Sequence, residues 1–409
     1  MHICKKSSNF AGILYDFAPI MQSIIDIIGQ ISLGTADYCL IGVLAVLFVY
    51  QVYFYTRYIG APQRYAKRQA PYTPIPAEQQ KGVSVIVCAH NEEHNLQDYL
   101  QSLLTQDYSN YEVIVVNDGS EDHTREVIEE YMRYDHRIVT TFVPRGARVN
   151  STKKLAITLA VKRAKYDYLL LTDADCRPES PHWITEMMRG FDDPQKEIVI
   201  GFGAYYPDHT RINRIIQYDT LFCGLQYLGM ALARHPYMGV GRNLAYKKDL
   251  FLRTGGFSTM MNQRAGDDDL LVNHVATKTN TAVVVSRESI TWSPAKETLH
   301  DWLLQKRRHI GVSHDYTSNS KTRLGIEPVT RGLFYLMLIA AGVLGNMAVW
   351  ATAGLLFIAR LIMQLTIINL SAKQLGVRGF GLVILWYDIC LPLVTLNMLT
   401  KKPLKAGQW

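Results

Sequence analysis

The chain places long apolar stretches near its two ends and a mixed, periodic region between them. Tyr38 to Thr56 contains no charged side chain and, as a helix, is long enough to cross a hydrocarbon core about 30 Å thick. This predicts a transmembrane helix over residues 35–57, because buried helices of soluble proteins rarely lack charge over such a length. Residues 1–34 are apolar but contain Asp16 and Asp26, which favours an interfacial segment over a span or a cleaved signal.

A second apolar region, residues 331–400, predicts two or three further spans. Two would leave residues 360–378 outside and three would leave the lysine-containing tail, residues 401–409, outside. The pattern does not decide between them. Asp388 is either a functional intramembrane carboxylate or a polar group at a helix contact near the Pro392 kink.

Basic residues follow the first predicted span and acidic residues precede it. Asp37 stands just before the charge-free stretch Tyr38 to Thr56, whereas Arg57, Arg64, Lys67 and Arg68 stand just after that stretch. Lys and Arg are enriched on the cytosolic side of membrane segments. The sequence therefore predicts an integral, multi-pass membrane protein in which the region after the linker, residues 58–80, faces the cytosol.

Between the membrane regions, residues 81–315 alternate β-branched runs with helical patterns. The predicted strands are Val83–Cys88, Glu112–Val116, Ile138–Phe142 and Tyr168–Leu171. Helices are expected over Asn95–Thr105, from about Asp122, and over Thr152–Lys165. Continuous apolar strands joined by helices are typical of an α/β fold with a mostly parallel sheet covered on both faces. Ligands of such sheets bind beyond the carboxyl ends of the strands.

Polar clusters follow three of the predicted strands: Asn91 with Glu92, then Asp118, and then Asp173 with Asp175. A single carboxylate at a strand end can be only a helix cap. Asp173 and Asp175, however, lie two positions apart directly after a buried strand and can approach one point. Like charges held together favour a cation between them, and hard oxygen ligands suit Mg²⁺ or Mn²⁺. The pattern thus predicts a metal site at Asp173 and Asp175.

Composition narrows the class of protein further. The chain is 48% hydrophobic and 19% charged, which excludes a disordered chain. Its net charge of +7 is modest and not gathered on one long face, so no nucleic acid is expected as a partner. Six scattered cysteines predict neither a zinc site nor a disulfide framework.

Five stretches in order resemble the membrane-integral family 2 glycosyltransferases, the group that contains cellulose, chitin and hyaluronan synthases. They are VSVIVCAHNEEHNLQDYLQSLLTQDYSNYEVIVVNDGSEDHT, LLLTDAD, GRNLAYKKDLFLRTGGF, GDDDLLVNHVA and QKRRH, within residues 81–310. The resemblance implies a nucleotide-diphospho-sugar transferase fold of the GT-A type, flanked by transmembrane helices. It also implies inverting transfer of a hexosyl or N-acetylhexosaminyl group from a nucleotide sugar, a UDP-sugar first of all, to a hydroxyl.

The membrane anchor suggests a lipid-linked or polysaccharide acceptor, membrane lipids as partners and a place in cell-envelope polysaccharide biosynthesis. A processive synthase and a single-addition lipid glycosyltransferase both fit. The rival from another class is a nucleotide-binding membrane scaffold or transport subunit without transferase activity. A transport role requires polar residues along several spans, and few are present.

On the donor side, the resemblance implies that Asn91, Glu92 and Asp118 cradle the base and ribose. Asp173, together with Asp175, would hold the metal that bridges the diphosphate and neutralises the charge that builds on the leaving nucleotide.

Basic residues are implied at the diphosphate. Lys153 fits the family's K-x-x-A-L register, with Lys154 next to it, although either lysine could lie on a solvated helix face. Gln305 and Arg308 match the family's Q-x-x-R-W, whose arginine meets the donor diphosphate. Contact of this basic helix with anionic lipid headgroups is the alternative.

The run Asp267-Asp268-Asp269 supplies the candidates for the catalytic base, since an E-D-x-D-L-like motif of the family provides that group. Anchoring on Leu270 puts Asp267 in the base position. Gly266 stands where the motif has Glu, so Asp268 remains a candidate. General-base assistance accelerates such reactions by ~10²–10⁴-fold.

The acceptor side is implied by two segments. Gly241, Arg242 and Asn243 resemble the family's acceptor-side loop. Trp302 and His309 share one face of the predicted helix around QKRRH. His309 replaces the tryptophan that forms an acceptor platform in processive enzymes, and its smaller ring offers less stacking area. The apolar run at residues 212–233 either lies in the membrane interface or packs against the sheet.

Overall fold

The computed structural model describes residues 33–69, 72–147, 149–263 and 265–400. Nearly all of the N-terminal segment predicted to be interfacial, and the whole tail at residues 401–409, lie outside the described residues. The chain divides into two compact units. The first comprises Met1–Tyr53 and Ile326–Met363, and the second Phe54–Gly325 and Gln364–Trp409.

Regular elements account for most of the described residues, and α-helices and strands alternate through the second unit. The helices are α1 (Thr35–Phe54), α2 (Ala61–Ala66), α3 (Glu93–Leu104), α4 (Thr124–Tyr134), α5 (Thr152–Arg163), α6 (Trp183–Arg189), α7 (Arg211–Leu232), α8 (Lys248–Arg253), α9 (Asp269–Val275), α10 (Leu299–Val312), α11 (Ser318–Leu344), α12 (Met347–Gln374) and α13 (Val383–Leu399). The strands are β1 (Val83–Ala89), β2 (Tyr111–Asp118), β3 (Ile138–Val143), β4 (Tyr168–Asp173), β5 (Arg177–Pro178), β6 (Ile198–Ile200), β7 (Gly203–Tyr205), β8 (Leu244–Lys247), β9 (Thr281–Val283) and β10 (Thr291–Ser293).

A seven-stranded sheet with the order β3-β2-β1-β4-β8-β6-β9 forms the centre of the second unit. Strands β1 to β4 pair in parallel, whereas β8 pairs antiparallel with both β4 and β6. The predicted α/β class with a mostly parallel sheet is confirmed. Each predicted strand continues further towards its carboxyl end than expected, so that Asp118 and Asp173 are the last residues of β2 and β4.

Both faces of the parallel half are covered by helices, because its strands are apolar on both sides. Val85 and Val87 of β1 join a buried cluster with Leu96 and Leu100 of α3. Ile86, which points the other way in the strand, is also buried. Burying each such side chain contributes about 1.5–3 kcal/mol relative to leaving it exposed. A densely packed core therefore holds the carboxyl ends of these strands in place.

The sequence left two roles open for helix α7 and for Asp388 of α13, and both pack inside the second unit. Helix α7 buries a large part of its surface, and its Tyr227 hydroxyl donates to the carbonyl of Gly201 at 2.9 Å. Asp388 of α13 is only 1% exposed and accepts a hydrogen bond from the Tyr55 hydroxyl at 3.4 Å. Gln364 in turn donates to that hydroxyl at 2.7 Å. These contacts favour packing for α7 and a polar helix contact for Asp388.

The first unit is a bundle of apolar helical segments that also buries three charged side chains, Glu327, Arg331 and Arg360. Leu44 of α1, Phe334 of α11 and Val349 of α12 belong to its core. Arg360 is 1% exposed, and its guanidinium donates to Gln51 at 3.0 Å and to the Tyr335 hydroxyl at 3.1 Å. A buried charge is costly unless it is hydrogen-bonded, so these polar side chains accommodate the arginine inside the bundle.

Among the described residues, three helical segments are long and apolar enough to cross a membrane: Thr35–Ile59, Ser318–Leu344 and Met347–Gln374. The apolar helix Val383–Leu399 is shorter. The charge-free run at residues 332–359 is not one helix, since the chain turns between α11 and α12. Asn346 caps the second of these helices, with its side-chain oxygen accepting from the N–H groups of Ala348 and Val349 at 3.0 and 3.2 Å.

Candidate active site

The carboxyl ends of three adjacent strands bring the predicted donor residues to one edge of the sheet. Strand β1 lies between β2 and β4, with Ala89 in register with Asn117 and Cys88 in register with Asp173. The start of the loop that carries Asn91 therefore lies between the ends of β2 and β4. This is the edge at which open α/β sheets bind ligands.

The loop after β1 is fastened to the loop after β2 by several hydrogen bonds. Asn91 adopts a left-handed backbone with φ 57°. Its N–H donates to the Ser120 hydroxyl at 3.1 Å, and its side-chain oxygen accepts from the N–H of Glu121 at 2.7 Å. The N–H of Glu92 donates to the Thr124 hydroxyl at 2.8 Å. The predicted base-and-ribose segment is thus a fixed structure rather than a free loop.

Two carboxylates near these loops, Asp118 and Glu92, lie in surroundings that do not fully stabilise their charged form. Asp118 is 7% exposed, and its Oδ1 has no hydrogen-bond partner among the described residues. Leaving a buried acceptor unpaired costs about 1–3 kcal/mol, so Asp118 can accept a bond from a ligand donor. Burial, together with the charges of Asp175 and Asp173, raises the pKa of Glu92.

Lys153 joins two acidic segments that are far apart in the sequence. Its Nζ lies 2.9 Å from Oδ1 of Asp173 and 3.4 Å from Oδ2 of Asp267. The side chain is 42% accessible to solvent. Desolvation acts to lower the pKa of Lys153, but attraction to Asp173, Asp267 and Asp268 outweighs it and raises the pKa well above the ordinary value. Helix α5, the end of β4 and the start of α9 therefore meet at one ammonium group.

A candidate metal site lies at the end of β4. Ligand atoms of Asp173, Asp175 and Cys176 lie within 4.8 Å of one another. Burial and the neighbouring Asp173 raise the pKa of Asp175, which is the repulsion that a bound cation relieves. Burial and the two carboxylates also raise the pKa of the Cys176 thiol well above its ordinary value, so it stays protonated and is a poor ligand. The two carboxylates fit a hard divalent ion.

The other two members of the aspartate run have different partners from Asp267. Asp268 caps α9, with its two oxygens accepting from the N–H groups of Gly241 at 2.7 Å and Asp269 at 2.8 Å. Asp269 is buried and accepts from the Tyr316 hydroxyl at 2.9 Å. Both residues therefore hold the start of α9 in place, and it is Asp267 that lies against Lys153.

The glycine that departs from the family pattern has a structural reason. Gly266 has a φ of +87°, a conformation that side chains other than glycine rarely adopt. A Cβ atom at this position would lie 2.5 Å from Leu270 Cδ1 and 2.9 Å from Val312 Cγ1. The backbone before Asp267 thus requires glycine where the motif has Glu.

The predicted acceptor-side loop has one residue near the acidic cluster and one in the core. Arg242 stacks 4.3 Å from the centre of the Tyr205 ring and donates to the Ser293 hydroxyl at 2.7 Å. Burial acts to raise the pKa of Asp173, but the positive charges of Lys153 and then of Arg242 outweigh this effect and lower the pKa. Arg242 therefore links the acidic cluster to the ends of β7 and β10.

Asn243 is fully buried, and both the nitrogen and the oxygen of its side-chain amide form hydrogen bonds inside the protein. The Nδ2 group donates to the carbonyls of Phe202 at 2.9 Å and Ser289 at 2.7 Å, and Oδ1 accepts from the Trp183 indole N–H at 3.0 Å. Asn243 therefore ties together three segments behind the site and does not face the cleft. Gly241, by contrast, acts through the N–H that it donates to Asp268.

Helix α10 carries the predicted QKRRH residues in two environments. Gln305 donates to the Tyr205 hydroxyl at 3.3 Å, which links it to the ring that Arg242 stacks on. Trp302 is 4% exposed, and the Lys306 ammonium lies 5.5 Å from its ring centre. Trp302 is therefore a packed side chain rather than an open stacking surface.

His309 lies on the same helix and is exposed, whereas Arg308 is half-buried. Partial shielding of the ring from water by the surrounding protein, followed by the positive charges of Arg308 and Arg242, lowers the pKa of His309.

Sequence reasoning missed Tyr205, and the solvated helix face that it left open for Lys154 is wrong. Tyr205 contacts Arg242 and Gln305, and no motif marks it. Lys154 is fully buried, and its Nζ donates to the carbonyls of Met260, Gln263 and Ala265. Consecutive helix positions point about 100° apart, so the KK pair itself indicates that one of its two lysines faces away from the cluster that the other contacts.

A pocket of about 710 Å³ lies elsewhere in the second unit. Its lining includes Glu197, Arg253, His274 and Asn280, and none of the predicted site residues. The convergence of charged groups, rather than the volume of this pocket, locates the candidate active site.

A mostly parallel sheet that presents a pair of carboxylates able to hold a metal ion, a lysine and a separate aspartate at one edge is the arrangement expected of a nucleotide-sugar-dependent glycosyltransferase domain. Residues 84–261 match the family model "Glycosyl transferase family 2". The match covers less than half of the chain and supports a glycosyltransferase family 2 domain at residues 84–261, the domain that the sequence resemblance predicts.

Curated relatives are similar to parts of the chain. The poly-β-1,6-N-acetyl-D-glucosamine synthase of Staphylococcus epidermidis is 36% identical over 99 residues, or 24% of this chain and 23% of that protein. The synthase of the same name from Staphylococcus aureus strain COL is 26% identical over 283 residues, or 66% of this chain and 64% of that protein. The chain thus spans less than two thirds of the length of these relatives.

Among solved structures, the chain resembles the mannosyltransferase PcManGT from Pyrobaculum calidifontis in complex with GDP-Man and Mn²⁺. The TM-score is 0.53 at 20% sequence identity, and the match covers 82% of this chain and 99% of that chain. This likeness shows that the fold is of the GT-A type.

Proposed function

We propose that the protein is a membrane-bound inverting glycosyltransferase that moves a sugar from a nucleotide diphosphate to a hydroxyl of a lipid-linked or polysaccharide acceptor. The observation that carries this proposal is the position of the Lys153 ammonium, 2.9 Å from Asp173 and 3.4 Å from Asp267. It places a cation between a metal-binding carboxylate and a carboxylate from a different part of the fold. A site that must bind a diphosphate and deprotonate a hydroxyl requires both groups.

On the donor side, the fastened loop at Asn91 and Glu92 and the unpaired oxygen of Asp118 support binding of a base and ribose. Asp173 and Asp175 would hold Mg²⁺ or Mn²⁺, an ion that neutralises charge on the departing diphosphate when bound.

Basic groups of this chain complete the diphosphate environment. Lys153 and Arg242 already interact electrostatically with the acidic pair. Gln305 and Arg308 follow on helix α10, and Gln305 is fixed through Tyr205. Preorganised positive charge of this kind stabilises a leaving group without reorganisation during the reaction.

On the acceptor side, Asp267 is the base in this proposal, and Asp268 positions it by capping α9. The acceptor oxygen forms a bond to the anomeric carbon as the bond from that carbon to the diphosphate oxygen breaks. The acceptor proton passes to Asp267, and the electron pair leaves with the nucleoside diphosphate. Attack from the side opposite the leaving group inverts the anomeric carbon.

The relatives and the apolar helices support the choice of substrate and location. Synthases of poly-β-1,6-N-acetyl-D-glucosamine are among the relatives, so UDP-N-acetylglucosamine is the first donor to test. Three apolar helical segments support anchoring in a membrane. The basic residues after the first of them support a domain that faces the cytosol.

The proposal is tested by a donor screen on the full chain purified into lipid nanodiscs. UDP-N-acetylglucosamine, UDP-glucose and GDP-mannose are each supplied with Mg²⁺ or Mn²⁺ and lipid extract, and release of nucleoside diphosphate is measured. We expect metal-dependent turnover of one donor, with loss of that turnover in Asp267→Asn. Asp249→Asn is the matched control, because this carboxylate is 78% exposed and pairs with Arg253 outside the site. Nucleotide binding without turnover of any donor would favour a scaffold or transport subunit.

A further inference from the structure

Two adjacent lysines of helix α5 have opposite environments. Lys153 is accessible and lies in the acidic cluster, whereas Lys154 has no solvent exposure. The Lys154 ammonium donates to three backbone carbonyls, those of Met260 at 2.9 Å, Gln263 at 2.8 Å and Ala265 at 2.8 Å. An ammonium group has three donor hydrogens, so these carbonyls satisfy it completely.

Burying a lysine whose ammonium is hydrogen-bonded only to backbone carbonyls lowers the stability of the fold relative to an apolar side chain. Burial of an ammonium is tolerated only when its hydrogen bonds are replaced. Leucine or methionine would fill the same space without that cost. Desolvation lowers the pKa of Lys154, while the charges of Asp267, Asp269 and Asp268 act in the opposite direction. The net effect is a lowered pKa, so the three carbonyl hydrogen bonds rather than the charges account for the lysine here.

The carbonyls bound by Lys154 belong to the segment that leads directly to Asp267. Ala265 stands two residues before it, and Gly266 between them adopts a left-handed backbone. Asp268, directly after it, caps α9. The backbone around Asp267 is thus fixed on one side by Lys154 and on the other by the helix cap.

The same helix holds both the backbone and the carboxylate of this region. Lys153 reaches the Asp267 carboxylate, and Lys154 reaches the backbone just before it. Helix α5 also carries the contact from Lys153 to Asp173 at the metal site. Helix α5 therefore contacts both the proposed metal site and the proposed catalytic base, and so fixes the distance between them.

We propose that Lys154 is a positioning residue, which holds the segment before Asp267 on α5 and so sets the place of the Asp267 carboxylate relative to the donor site. This inference rests on the proposed function, in which Asp267 takes the acceptor proton. Lys154 itself touches neither substrate nor metal. Displacing a reacting group by about 1 Å can lower a rate roughly 10²-fold, so the role is visible in kcat.

The test compares Lys154→Met with a matched lysine in the full chain in nanodiscs. Lys248 also donates to a backbone carbonyl, that of Ala164 at 2.7 Å, but lies outside the site. Turnover of the active donor and binding of UDP with Mn²⁺ by calorimetry are measured for wild type, Lys154→Met and Lys248→Met. We expect Lys154→Met to lower kcat roughly 10²-fold with unchanged affinity for UDP and Mn²⁺. Lys248→Met is expected to leave both quantities unchanged.

Two kinetic results would each overturn the proposal. An unchanged kcat in Lys154→Met would show that the segment keeps its place without the lysine. Equal losses of kcat and UDP affinity would show a general structural role rather than positioning of one carboxylate. If Lys154→Met does not fold, Lys154→Gln takes its place, and unfolding of both variants would likewise establish a purely structural role.

Hydrogen–deuterium exchange provides a second readout that does not depend on turnover. Peptides that cover residues 261–267 are expected to exchange faster in Lys154→Met than in wild type, while peptides from β1 and β2 stay unchanged. Equal exchange of residues 261–267 would overturn the proposal. A wild-type protein without turnover on any donor would refute the proposed function instead, and the exchange data would still report whether Lys154 holds this segment.

Discussion

The two halves of the central sheet build one site by different means. In the half from β1 to β4, three of the four parallel strands, β1, β2 and β4, lead directly to candidate site residues, and the loops after β1 and β2 are hydrogen-bonded to each other. In the half with β6, β8 and β9, the strands are only three or four residues long. Asp267 there follows an irregular segment that a distant lysine holds. Local sequence thus determines the proposed donor side, whereas long-range contacts determine the proposed acceptor side.

The largest expected effect concerns the acceptor half. Asp267→Asn removes the proposed base but keeps its shape, so kcat is expected to fall by ~10²–10⁴-fold. Binding of UDP with Mn²⁺ is expected to stay intact, because the donor half is unchanged. Steady-state kinetics and calorimetry on one preparation test this. Residual turnover close to that of Asp249→Asn would move the base elsewhere, to Asp268 first.

A change in the donor half is expected to act on the metal instead. Asp175→Asn removes one of the two carboxylates that repel each other. Loss of a residue that only supports a metal ligand costs roughly 10–100-fold in affinity, and a direct ligand is expected to cost at least as much. A Mn²⁺ titration of UDP binding measures the change. An unaltered Mn²⁺ requirement in Asp175→Asn would remove this residue from the metal site.

The irregular backbone before Asp267 can be tested through its glycine. Gly266→Ala introduces both a strained φ and contacts with Leu270 and Val312, and we expect a loss of about 1–3 kcal/mol in stability. Gly146 is the matched control, since its φ is +75° but a Cβ atom added there would have no neighbouring atom within 4 Å. Thermal melts of both variants are compared. Equal destabilisation would mean that packing around Gly266 contributes nothing.

The smallest expected effect is a pH dependence in the acceptor half. Burial and the charge of Asp267 raise the pKa of Asp268 to about 6, whereas an aspartate in an unfolded chain titrates near 4. Between these values the folded protein binds more protons than the unfolded chain, so this group's contribution to stability falls as the pH rises from about 4 to above 6.

Asp268→Asn removes that titration while retaining an oxygen to cap α9. As the pH rises through this range, the melting temperature of Asp268→Asn is therefore expected to rise relative to that of wild type, by on the order of a few degrees. Melts at a series of pH values measure the difference. A constant offset between the two proteins would contradict the assignment to Asp268.

The contrast between the halves also explains what the sequence could predict. Strands β1 to β4 and the acidic clusters after them were recognisable from hydrophobic runs followed by polar turns, which are local signals. Lys153 and Asp173 lie on a helix and on the strand that directly follows it, so their pairing depends on one short connection. The likeness to family 2 supplied Asp267, which no periodic pattern marks.

Other features depend on residues that are distant in the sequence. The buried position of Asn243 depends on Trp183, Phe202 and Ser289, which lie in three separate segments. Burial of Lys154 depends on carbonyls more than a hundred residues away. Such contacts form only when the chain is folded, so neither propensity nor spacing reports them.

The most direct test of a single shared site is a double-mutant cycle between its halves. Turnover is measured for wild type, Lys153→Met, Asp267→Asn and the double variant, on the donor that the wild type uses. Residues in contact show interaction energies of about 0.5–3 kcal/mol, so the double variant is expected to be several-fold more active than the product of the two single effects implies. Losses that simply multiply would show that Lys153 and Asp267 act independently, and would contradict one site built from both halves of the sheet.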